Sequence, residues 1–316
     1  MATEPTIAAF NATVNVAPGA RQIRSFHLFA VVSDYWALTK PEVNFLILIT
    51  TFAGFYLAYP SSVSGFSFAL LIRTLLGTLL VASGTAALNQ FIERRFDAQM
   101  RRTARRPLAA GKLNPAGALC FGILLSATGA FYLAVAVNPL ASLLAVLTWA
   151  SYLFIYTPLK RKTPLCVLIG AFPGAMPPLI GWAAARGRLD PEAWVLFAMV
   201  FLWQFPHFMA IAWMYREDYS QAGYLVLPKG DRRETFVFWQ SFVVSLSLIP
   251  LSLIPAIAGE SGLVYLAGAL ISGAIFCYYG ARFAFCRSNA AARQLLSASI
   301  VYLPAVFILL MLDKTR

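Results

Sequence analysis

Residues 67–92 read SFALLIRTLLGTLLVASGTAALNQFI and form a long apolar run. Its only charged residue is Arg73, which lies near one end, where a long side chain can reach the headgroup region. The hydrocarbon core of a bilayer is spanned by a helix of about 20 predominantly apolar residues. The stretch therefore predicts a membrane-spanning helix.

Eight further apolar runs, bounded by charged residues, proline or glycine, have the same character. The nine predicted spans are residues 43–59, 67–92, 116–137, 140–156, 165–184, 194–214, 236–257, 262–284 and 295–312. Of the 316 residues 59% are hydrophobic and 12% are charged, whereas a soluble domain has about 25% charged residues. We expect an all-α polytopic membrane protein of about nine helices, with residues 1–40 as an N-terminal tail and interfacial segment and residues 41–316 as one membrane domain.

The net charge of +12 is unevenly placed. Twenty of the 25 Lys and Arg residues lie on one side of the predicted bundle, in the N-terminal tail, in the loops on that side and, for Arg282, at the adjoining end of a span. Positive residues mark the cytoplasmic face, so we expect the N-terminus inside. Residues 1–20 contain neither a long apolar run nor an Arg-rich amphipathic pattern, so we expect no removable targeting segment there. Because the basic residues lie between apolar runs and not on a separate domain, we expect a membrane surface or a polyanionic substrate, and no nucleic acid, as their partner.

Three oxygen-bearing residues recur at intervals of four where the second run ends: Asn89, Glu93 and Asp97. On a helix each step of four rises about 6 Å and turns by about 40°, so the three side chains share one face. Mg²⁺ prefers oxygen ligands and is usually held by one or two carboxylates together with substrate phosphates. Spacing alone leaves open a helix whose acids only pair with nearby arginines. The position near an apolar span favours a polar cavity that faces inward.

Basic residues follow these acids and recur after the fourth run. Arginine binds phosphate oxygens through two parallel hydrogen bonds, so such clusters next to cation ligands indicate a metal-diphosphate site. Each basic residue could instead serve only to orient the chain in the membrane, and for Lys162 this is the favoured interpretation. The basic residues are Arg101, Arg102, Arg105, Arg106, Lys160, Arg161 and Lys162.

His207 stands within an apolar run, in the segment Trp203–Phe208. A single histidine in a span is often a hydrogen-bonded packing residue, but imidazole is also the usual axial ligand of haem iron. Tyr156, at the end of another run, is of the kind that lines the membrane boundary. The four cysteines have no spacing typical of a zinc site or a redox pair.

These residues occur in an order that resembles the UbiA superfamily of intramembrane prenyltransferases, and within it the branch that farnesylates haem. The first matching string is Asn89-x3-Glu93-x3-Asp97-x2-Met100-x-Arg102-Thr103-x2-Arg106-Pro107-Leu108. Later strings are Tyr156-Thr157-x2-Lys160-Arg161, the run from Ile169-Gly170 to Gly181-Trp182, Trp203-Gln204-x-Pro206-His207-Phe208 and Asp218-Tyr219-x2-Ala222-Gly223. The resemblance covers nearly all of the membrane domain and is most specific over residues 35–230.

The resemblance implies a UbiA-like bundle with a central cavity open to the cytoplasmic side. It implies transfer of the farnesyl group of farnesyl diphosphate to the 2-vinyl group of haem b, with addition of water, to give haem O and diphosphate. Haem b is then a substrate and not a cofactor. A bacterial cytoplasmic membrane, with the N-terminus and catalytic loops cytoplasmic, and contact with haem A synthase on the way to terminal oxidases also follow from the resemblance.

The family's functional residues can be placed on matching positions. The residues expected to hold one or two Mg²⁺ ions are Asn89, Glu93, Asp97 and Asp218. Those expected to bind the diphosphate are Arg102, Arg106, Lys160 and Arg161, of which Lys160 is also counted with the acids as catalytic. The candidate haem-binding residues are Trp203, His207 and Tyr156.

Two positions depart from the superfamily pattern, and two other functions remain as alternatives. Ala222 stands four residues after Asp218, where the wider superfamily has a second aspartate, and Cys166 stands where an Asn is expected. The first alternative is prenylation of an aromatic quinone precursor, which does not call for His207. The second is a transporter of an anionic metabolite, which calls for paired broken helices with matching polar motifs.

Overall fold

The computed structural model describes residues 20–59, 66–227 and 231–315. Within these ranges nine helices are long and apolar enough to cross a membrane, which confirms the predicted number. In chain order the helices are α1 (Ala20–Leu38), α2 (Pro41–Ala58), α3 (Phe68–Asp97), α4 (Pro115–Ala136), α5 (Pro139–Leu159), α6 (Cys166–Arg186), α7 (Pro191–Met214), α8 (Arg216–Gln221), α9 (Asp231–Ile257), α10 (Leu263–Cys286) and α11 (Asn289–Leu312).

Helix ends follow local capping chemistry more closely than hydropathy. The helix α11 begins six residues before the predicted 295, because Ser288 accepts a hydrogen bond from the backbone N–H of Ala291 at the helix start. The short hairpin at Asn138 is a true break: its side chain accepts from Ala141 at 2.8 Å and donates to the carbonyl of Ala183 at 2.8 Å. One asparagine thus starts α5 and ties it to α6.

Helices α2 and α6 approach each other so closely that their backbones touch. A Cβ atom added to Gly54 would collide with the carbonyl of Pro178, and one added to Gly181 would collide with the carbonyl of Thr51. Small residues permit this kind of contact between helices in membranes, where van der Waals packing drives association. These contacts hold the second half of α2 against α6, whereas the start of α2 is held to α3 by the 2.8 Å hydrogen bond from Asn44 Nδ2 to the hydroxyl of Ser83.

Large apolar side chains face outward along the spans, as a lipid environment requires. Examples are Phe131 at 71% exposure, Val301 at 67% and Ile271 at 61%. Polar groups are instead collected inside, and many serine and threonine hydroxyls donate to carbonyls of their own helix, as Thr51 does to Ile47. The bundle is therefore apolar outside and partly polar inside, which is the reverse of a soluble protein.

The helix α1 is not predicted by the sequence analysis and lies within the segment 1–40, of which residues 1–19 are outside the described part. Its end is attached to the bundle: Gln90 of α3 donates to the carbonyl of Leu38 at 3.0 Å, and the ring of Tyr35 packs on Phe121 of α4. The division at residue 40 remains a prediction, because nothing in the structure separates the two parts.

Candidate active site

The three predicted cation ligands lie on one buried face of α3. Exposed fractions are 1% for Asn89, 6% for Glu93 and 1% for Asp97. The helix continues to Asp97, beyond the apolar run, so a single rigid element carries all three residues. Buried acids of this kind require partners, and the surrounding elements supply them.

Each of these side chains faces a basic residue from a different part of the chain. Lys160 Nζ lies 2.9 Å from Glu93 Oε1, and Arg106 Nη1 lies 2.7 Å from Asp97 Oδ2. Lys40, in the left-handed backbone conformation just before α2, donates from Nζ to Asn89 Oδ1 at 3.0 Å. The result is a buried cluster of alternating charge, which we call the α3 cluster: Lys40, Asn89, Glu93, Asp97, Arg106 and Lys160.

The pKa values of the two buried lysines of the α3 cluster are shifted in opposite directions. Burial opposes the charged form of Lys160, but the carboxylate of Glu93, together with the neighbouring Tyr156 and Tyr152, outweighs this and holds the pKa of Lys160 well above its usual value. Burial and the neighbouring cation of Arg106 lower the pKa of Lys40 to about 7. Lys160 thus remains a cation at neutral pH, whereas Lys40 changes its charge near neutrality.

A π-helical turn in α5, Ser151–Tyr156, brings aromatic and hydroxyl groups to the α3 cluster. Such turns are rare and often occur at functional sites, because they rotate the following side chains. Thr157 accepts a hydrogen bond from Asn89 Nδ2 at 3.3 Å, and Lys160 Nζ lies 4.5 Å from the centre of the Tyr156 ring. The ring of Tyr156 packs directly against Gly170 of α6, since a Cβ atom added to Gly170 would lie only 2.5 Å from the ring. Its predicted place at the membrane boundary is therefore also a place beside the α3 cluster.

Asp218 on α8 meets the loop that follows α3. Its Oδ2 accepts from the backbone N–H of Arg102 at 3.4 Å, and its Oδ1 lies 4.0 Å from Arg101 Nε. The guanidinium of Arg102 instead donates to the hydroxyl of Tyr219 at 3.3 Å. The structure thus brings Asp218 and Arg102 together, but the guanidinium of Arg102 points to aromatic rings and not to the acids of α3.

The residues present fit Mg²⁺ by their chemistry, although their carboxylates do not converge. In the described ranges, no three His, Cys, Asp or Glu side chains form a group that could hold a metal ion. Each of Glu93, Asp97 and Asp218 is engaged by a basic residue or a backbone N–H. Asp97 Oδ1 is nevertheless buried without a hydrogen-bond partner among the residues that the structure describes. Two carboxylates and an amide oxygen, together with substrate phosphate, are a donor set that suits this cation.

A cavity of about 410 Å³ opens beside the α3 cluster. Its lining residues come from α3, from the end of α5 and from the loop after α8: Ile92, Glu93, Phe96, Thr157, Pro158, Arg161, Lys162 and Tyr224. Arg161 lies with its guanidinium carbon 4.2 Å from the centre of the Phe96 ring. Lys162, which the sequence assigns only to orientation, also lines this cavity.

Sequence reasoning missed three polar residues of this site. Lys40 was counted only as part of the basic tail, and its position directly before Pro41 at a helix start was the available signal. Tyr224 has a buried hydroxyl without a partner among the described residues, and burial together with the charge of Glu93 raises its pKa. Thr157 was quoted only as part of a motif. Their roles arise from contacts between distant parts of the chain.

The candidate haem-binding residues of α7 form a separate group. The rings of Trp203 and His207 stack with centroids 4.7 Å apart. The indole Nε1 of Trp203 donates to the carbonyl of Ser299 at 2.8 Å, and Nδ1 of His207 lies 2.8 Å from the hydroxyl oxygen of Ser299. Their hydrogen bonds go to α11 and not to the acid face of α3. Cys166, at the start of α6, is buried at 1% exposure.

Comparison with known proteins gives a family match over most of the chain. A family model described as the UbiA prenyltransferase family matches residues 47–308. Protoheme IX farnesyltransferase of Solibacter usitatus is 48% identical over 287 residues, which are 89% of this chain and 98% of that protein. Protoheme IX farnesyltransferase of Koribacter versatilis is 42% identical, with 90% of this chain and 94% of that protein covered.

Two solved structures have a similar fold at low sequence identity. A digeranylgeranylglyceryl phosphate synthase matches with a TM-score of 0.73 at 18% identity, covering 89% of this chain and 98% of that one. A UbiA homologue from Archaeoglobus fulgidus bound to GPP and Mg²⁺ matches with a TM-score of 0.59 at 16% identity, covering 88% of this chain and 99% of that one. These likenesses show that the helical bundle is the same.

Proposed function

The chain belongs to the UbiA prenyltransferase family, and from this premise we propose that it transfers the farnesyl group of farnesyl diphosphate to the 2-vinyl group of haem b. Water adds in the same reaction, and the products are haem O and diphosphate. The observation that carries the proposal is the α3 cluster, in which acids and cations alternate next to a cavity inside an apolar bundle. The identity of the acceptor rests on the relatives, which are named protoheme IX farnesyltransferases. This chain matches these relatives over nearly their whole length.

Asn89, Glu93, Asp97 and Asp218 are the residues that would hold one or two Mg²⁺ ions. The UbiA homologue from Archaeoglobus fulgidus is described as bound to GPP and Mg²⁺, which supports the same cation here. When bound, Mg²⁺ neutralises negative charge on the diphosphate. Asp218 lies on α8 and contacts the backbone of Arg102 after α3, so it would contribute from a different segment of the chain than the three residues of α3.

Basic residues of this chain stabilise the leaving diphosphate, which gains charge as the bond to the farnesyl carbon breaks. The residues proposed for this role are Arg102, Arg106, Lys160 and Arg161, with Lys40 added from the structure. Preorganised cations in a site that excludes water stabilise developing charge far more than solvated ones do. Lys160 suits the role because Glu93 keeps it protonated even though it is buried.

Departure of diphosphate leaves an allylic farnesyl cation, and the 2-vinyl group of haem b attacks it to form a carbon–carbon bond. The positive charge moves to the carbon next to the porphyrin, where a water molecule adds and loses a proton. An apolar bundle keeps other water away from the farnesyl cation before this attack. Trp203, His207 and Tyr156 are proposed as haem contacts, with His207 as an axial ligand or a partner of a propionate.

The proposed location is a bacterial cytoplasmic membrane, with the N-terminus, the loop after α3 and the loop after α8 on the cytoplasmic side. The support is the asymmetry of Lys and Arg between the two faces. The central cavity would then open toward the cytoplasm. Contact with haem A synthase is proposed because haem O is hydrophobic and haem A synthase would receive it within the same membrane.

The test is to incubate the protein, purified in detergent, with Mg²⁺, haem b and farnesyl diphosphate, and to search for the mass of haem O. Wild type should yield haem O, and Glu93→Gln should yield none. Parallel reactions with 4-hydroxybenzoate in place of haem b test the quinone alternative, and uptake by liposomes tests the transporter. Prenylated 4-hydroxybenzoate without haem O, or transport without either product, would refute the proposal.

A further inference from the structure

Ser299 of α11 contacts both aromatic residues that α7 offers as haem contacts. Its backbone carbonyl accepts the indole N–H of Trp203, and its hydroxyl oxygen lies 2.8 Å from Nδ1 of His207. The two rings are stacked, with an angle of 29° between their planes. Ser299 itself has no exposed surface. One buried residue therefore anchors the imidazole and the indole together.

The hydrogen bonds of Ser299 assign the position of the proton on His207. A serine hydroxyl has a single proton to donate. Ser299 Oγ lies 2.6 Å from the carbonyl oxygen of Leu296, which can only accept, so this contact uses that proton. Toward Nδ1 of His207 the hydroxyl oxygen is then an acceptor, and Nδ1 must carry the hydrogen. The opposite assignment would bring two oxygen lone pairs together at 2.6 Å.

This assignment leaves the other ring nitrogen, Nε2, as the one with the lone pair. In a neutral imidazole one nitrogen donates and the other accepts or binds a metal. Nε2 makes no hydrogen bond to any residue in the described part of the chain, and the ring is only half-buried. His207 is thus held with its basic nitrogen free for a ligand.

We propose that Ser299 is a positioning residue, which fixes His207 as the Nδ1–H tautomer and so presents the Nε2 lone pair to the iron of haem b. This rests on the proposed function, in which haem b is the acceptor and His207 contacts it. Histidines that bind metals almost always donate the other ring N–H to an oxygen acceptor, which fixes the tautomer and raises ligand basicity. Here the acceptor is the Ser299 hydroxyl, which itself donates a hydrogen bond to the backbone carbonyl of Leu296. A hydrogen-bonded chain therefore runs from His207 through Ser299 to Leu296.

Substitution of Ser299 separates this role from packing, because its two contacts use different groups. The bond from Trp203 goes to the backbone carbonyl and persists in any side-chain variant. Ser299→Ala therefore keeps the contact to Trp203 and removes the two hydrogen bonds of the hydroxyl, to the imidazole and to the carbonyl of Leu296. Ser299→Thr retains a hydroxyl on the same carbon and should restore the contact.

A second serine provides a matched control. Ser252 of α9 is also fully buried, its hydroxyl donates to the carbonyl three residues earlier at 2.9 Å, and its backbone carbonyl accepts from the hydroxyl of Tyr265 at 2.5 Å. It has no contact with a histidine among the described residues. Ser252→Ala thus reproduces the loss of a buried serine hydroxyl without any change at His207.

The experiment is titration of ferric haem b into detergent-purified variants, with affinity read from the Soret band and iron coordination read from electron paramagnetic resonance. We expect Ser299→Ala to weaken haem binding by about 10- to 100-fold and to lose the signature of histidine ligation. Wild-type behaviour is expected of Ser299→Thr and Ser252→Ala, and loss of the signature is expected of His207→Ala. Ser299→Cys, which offers only a weak acceptor, replaces the alanine variant if that variant does not fold.

Each unexpected outcome has a distinct meaning. If His207→Ala loses histidine ligation but Ser299→Ala keeps wild-type affinity and spectrum, the inference on Ser299 is wrong and the haem contact stands. If His207→Ala keeps wild-type haem affinity and the wild-type spectrum, both the proposed haem contact of His207 and the inference on Ser299 are wrong. An equal loss in Ser252→Ala assigns the effect to packing and overturns the inference. Formation of haem O, measured by mass on the same samples, reports on the proposed function independently.

Discussion

Lys160 Nζ and Glu93 Oε1 form a 2.9 Å ion pair between residues 67 positions apart, and both side chains are largely buried. The pair joins the end of α5 to the acid face of α3. Both partners have proposed roles in catalysis, so the same contact serves stability and chemistry. The two functions can be separated, since a buried pair costs stability mainly when only one partner is removed.

Lys160→Met is expected to reduce the free energy of unfolding by about 3–5 kcal/mol, because it leaves the buried carboxylate of Glu93 without a cation. The double variant Lys160→Met/Glu93→Gln should recover most of this loss but form no haem O. Chemical unfolding in detergent measures the first quantity and product mass the second. If the two single substitutions simply add in the double variant, the ion pair is not a coupled unit.

Arg106→Ala is expected to lower kcat/KM by about 10²- to 10³-fold, since it removes a cation held beside Asp97 and next to the departing diphosphate. Arg105 is the neighbouring residue, is exposed, and is the matched control. Arg105→Ala should leave steady-state formation of haem O unchanged. Equal losses in the two variants would mean that the arginines act through general charge and not through the position of Arg106.

Removal of divalent cations with a chelator is expected to abolish haem O formation, and addition of Mg²⁺ should restore it. Asp218→Asn should raise the Mg²⁺ concentration needed for half-maximal activity by about 10- to 100-fold. The adjacent Glu217 is exposed, so Glu217→Gln should match wild type in the same titration. A wild-type Mg²⁺ requirement in Asp218→Asn would remove Asp218 from the cation site.

Local patterns in the sequence suffice for the spans and for the acid face of α3. Hydropathy predicts each span because the bilayer demands about 20 apolar residues wherever a helix crosses it. The spacing of Asn89, Glu93 and Asp97 predicts their common face because helix geometry is fixed. Both inferences depend only on residues close together in the chain.

What the sequence could not predict depends on contacts between distant segments. Lys40 joins the α3 cluster because the start of α2 lies against α3, where Asn44 donates to the hydroxyl of Ser83 at 2.8 Å and Lys40 donates to Asn89. The π-helical turn in α5 has no sequence signal of its own, yet it places Tyr156 beside Lys160. The proton on His207 is fixed by a serine 92 residues away.

Gly54→Ala is expected to destabilise the bundle by about 3 kcal/mol or more, because the new methyl group would collide with the rigid backbone at Pro178. Gly117→Ala is the control, since its Cβ would meet only the hydroxyl end of the Tyr35 side chain, at 2.8 Å, which can move. Thermal unfolding in detergent compares the two. Equal stability would show that α2 and α6 can separate without cost.

Tyr224→Phe is expected to lower kcat/KM for farnesyl diphosphate by about tenfold while stability stays the same or rises. The hydroxyl is buried without a partner at hydrogen-bond distance among the described residues, so its removal relieves a folding cost of about 1–3 kcal/mol. Its ring packs against Phe96 and Tyr219, and the adjacent Leu225 N–H donates to the carbonyl of Lys160 at 2.8 Å.

Tyr224 and Glu93 both line the cavity, and a diphosphate bound there is the proposed acceptor of the hydrogen bond that the Tyr224 hydroxyl can donate. Burial and the charge of Glu93 raise the pKa of Tyr224 above its usual value of about 10, so the group stays protonated and able to donate throughout neutral and moderately alkaline pH. The ratio of wild-type to Tyr224→Phe activity should therefore remain constant between pH 6 and pH 9, roughly the range below that ordinary pKa. A ratio that falls toward one as the pH rises through this range would mean that the hydroxyl ionises there and that the donor role is wrong.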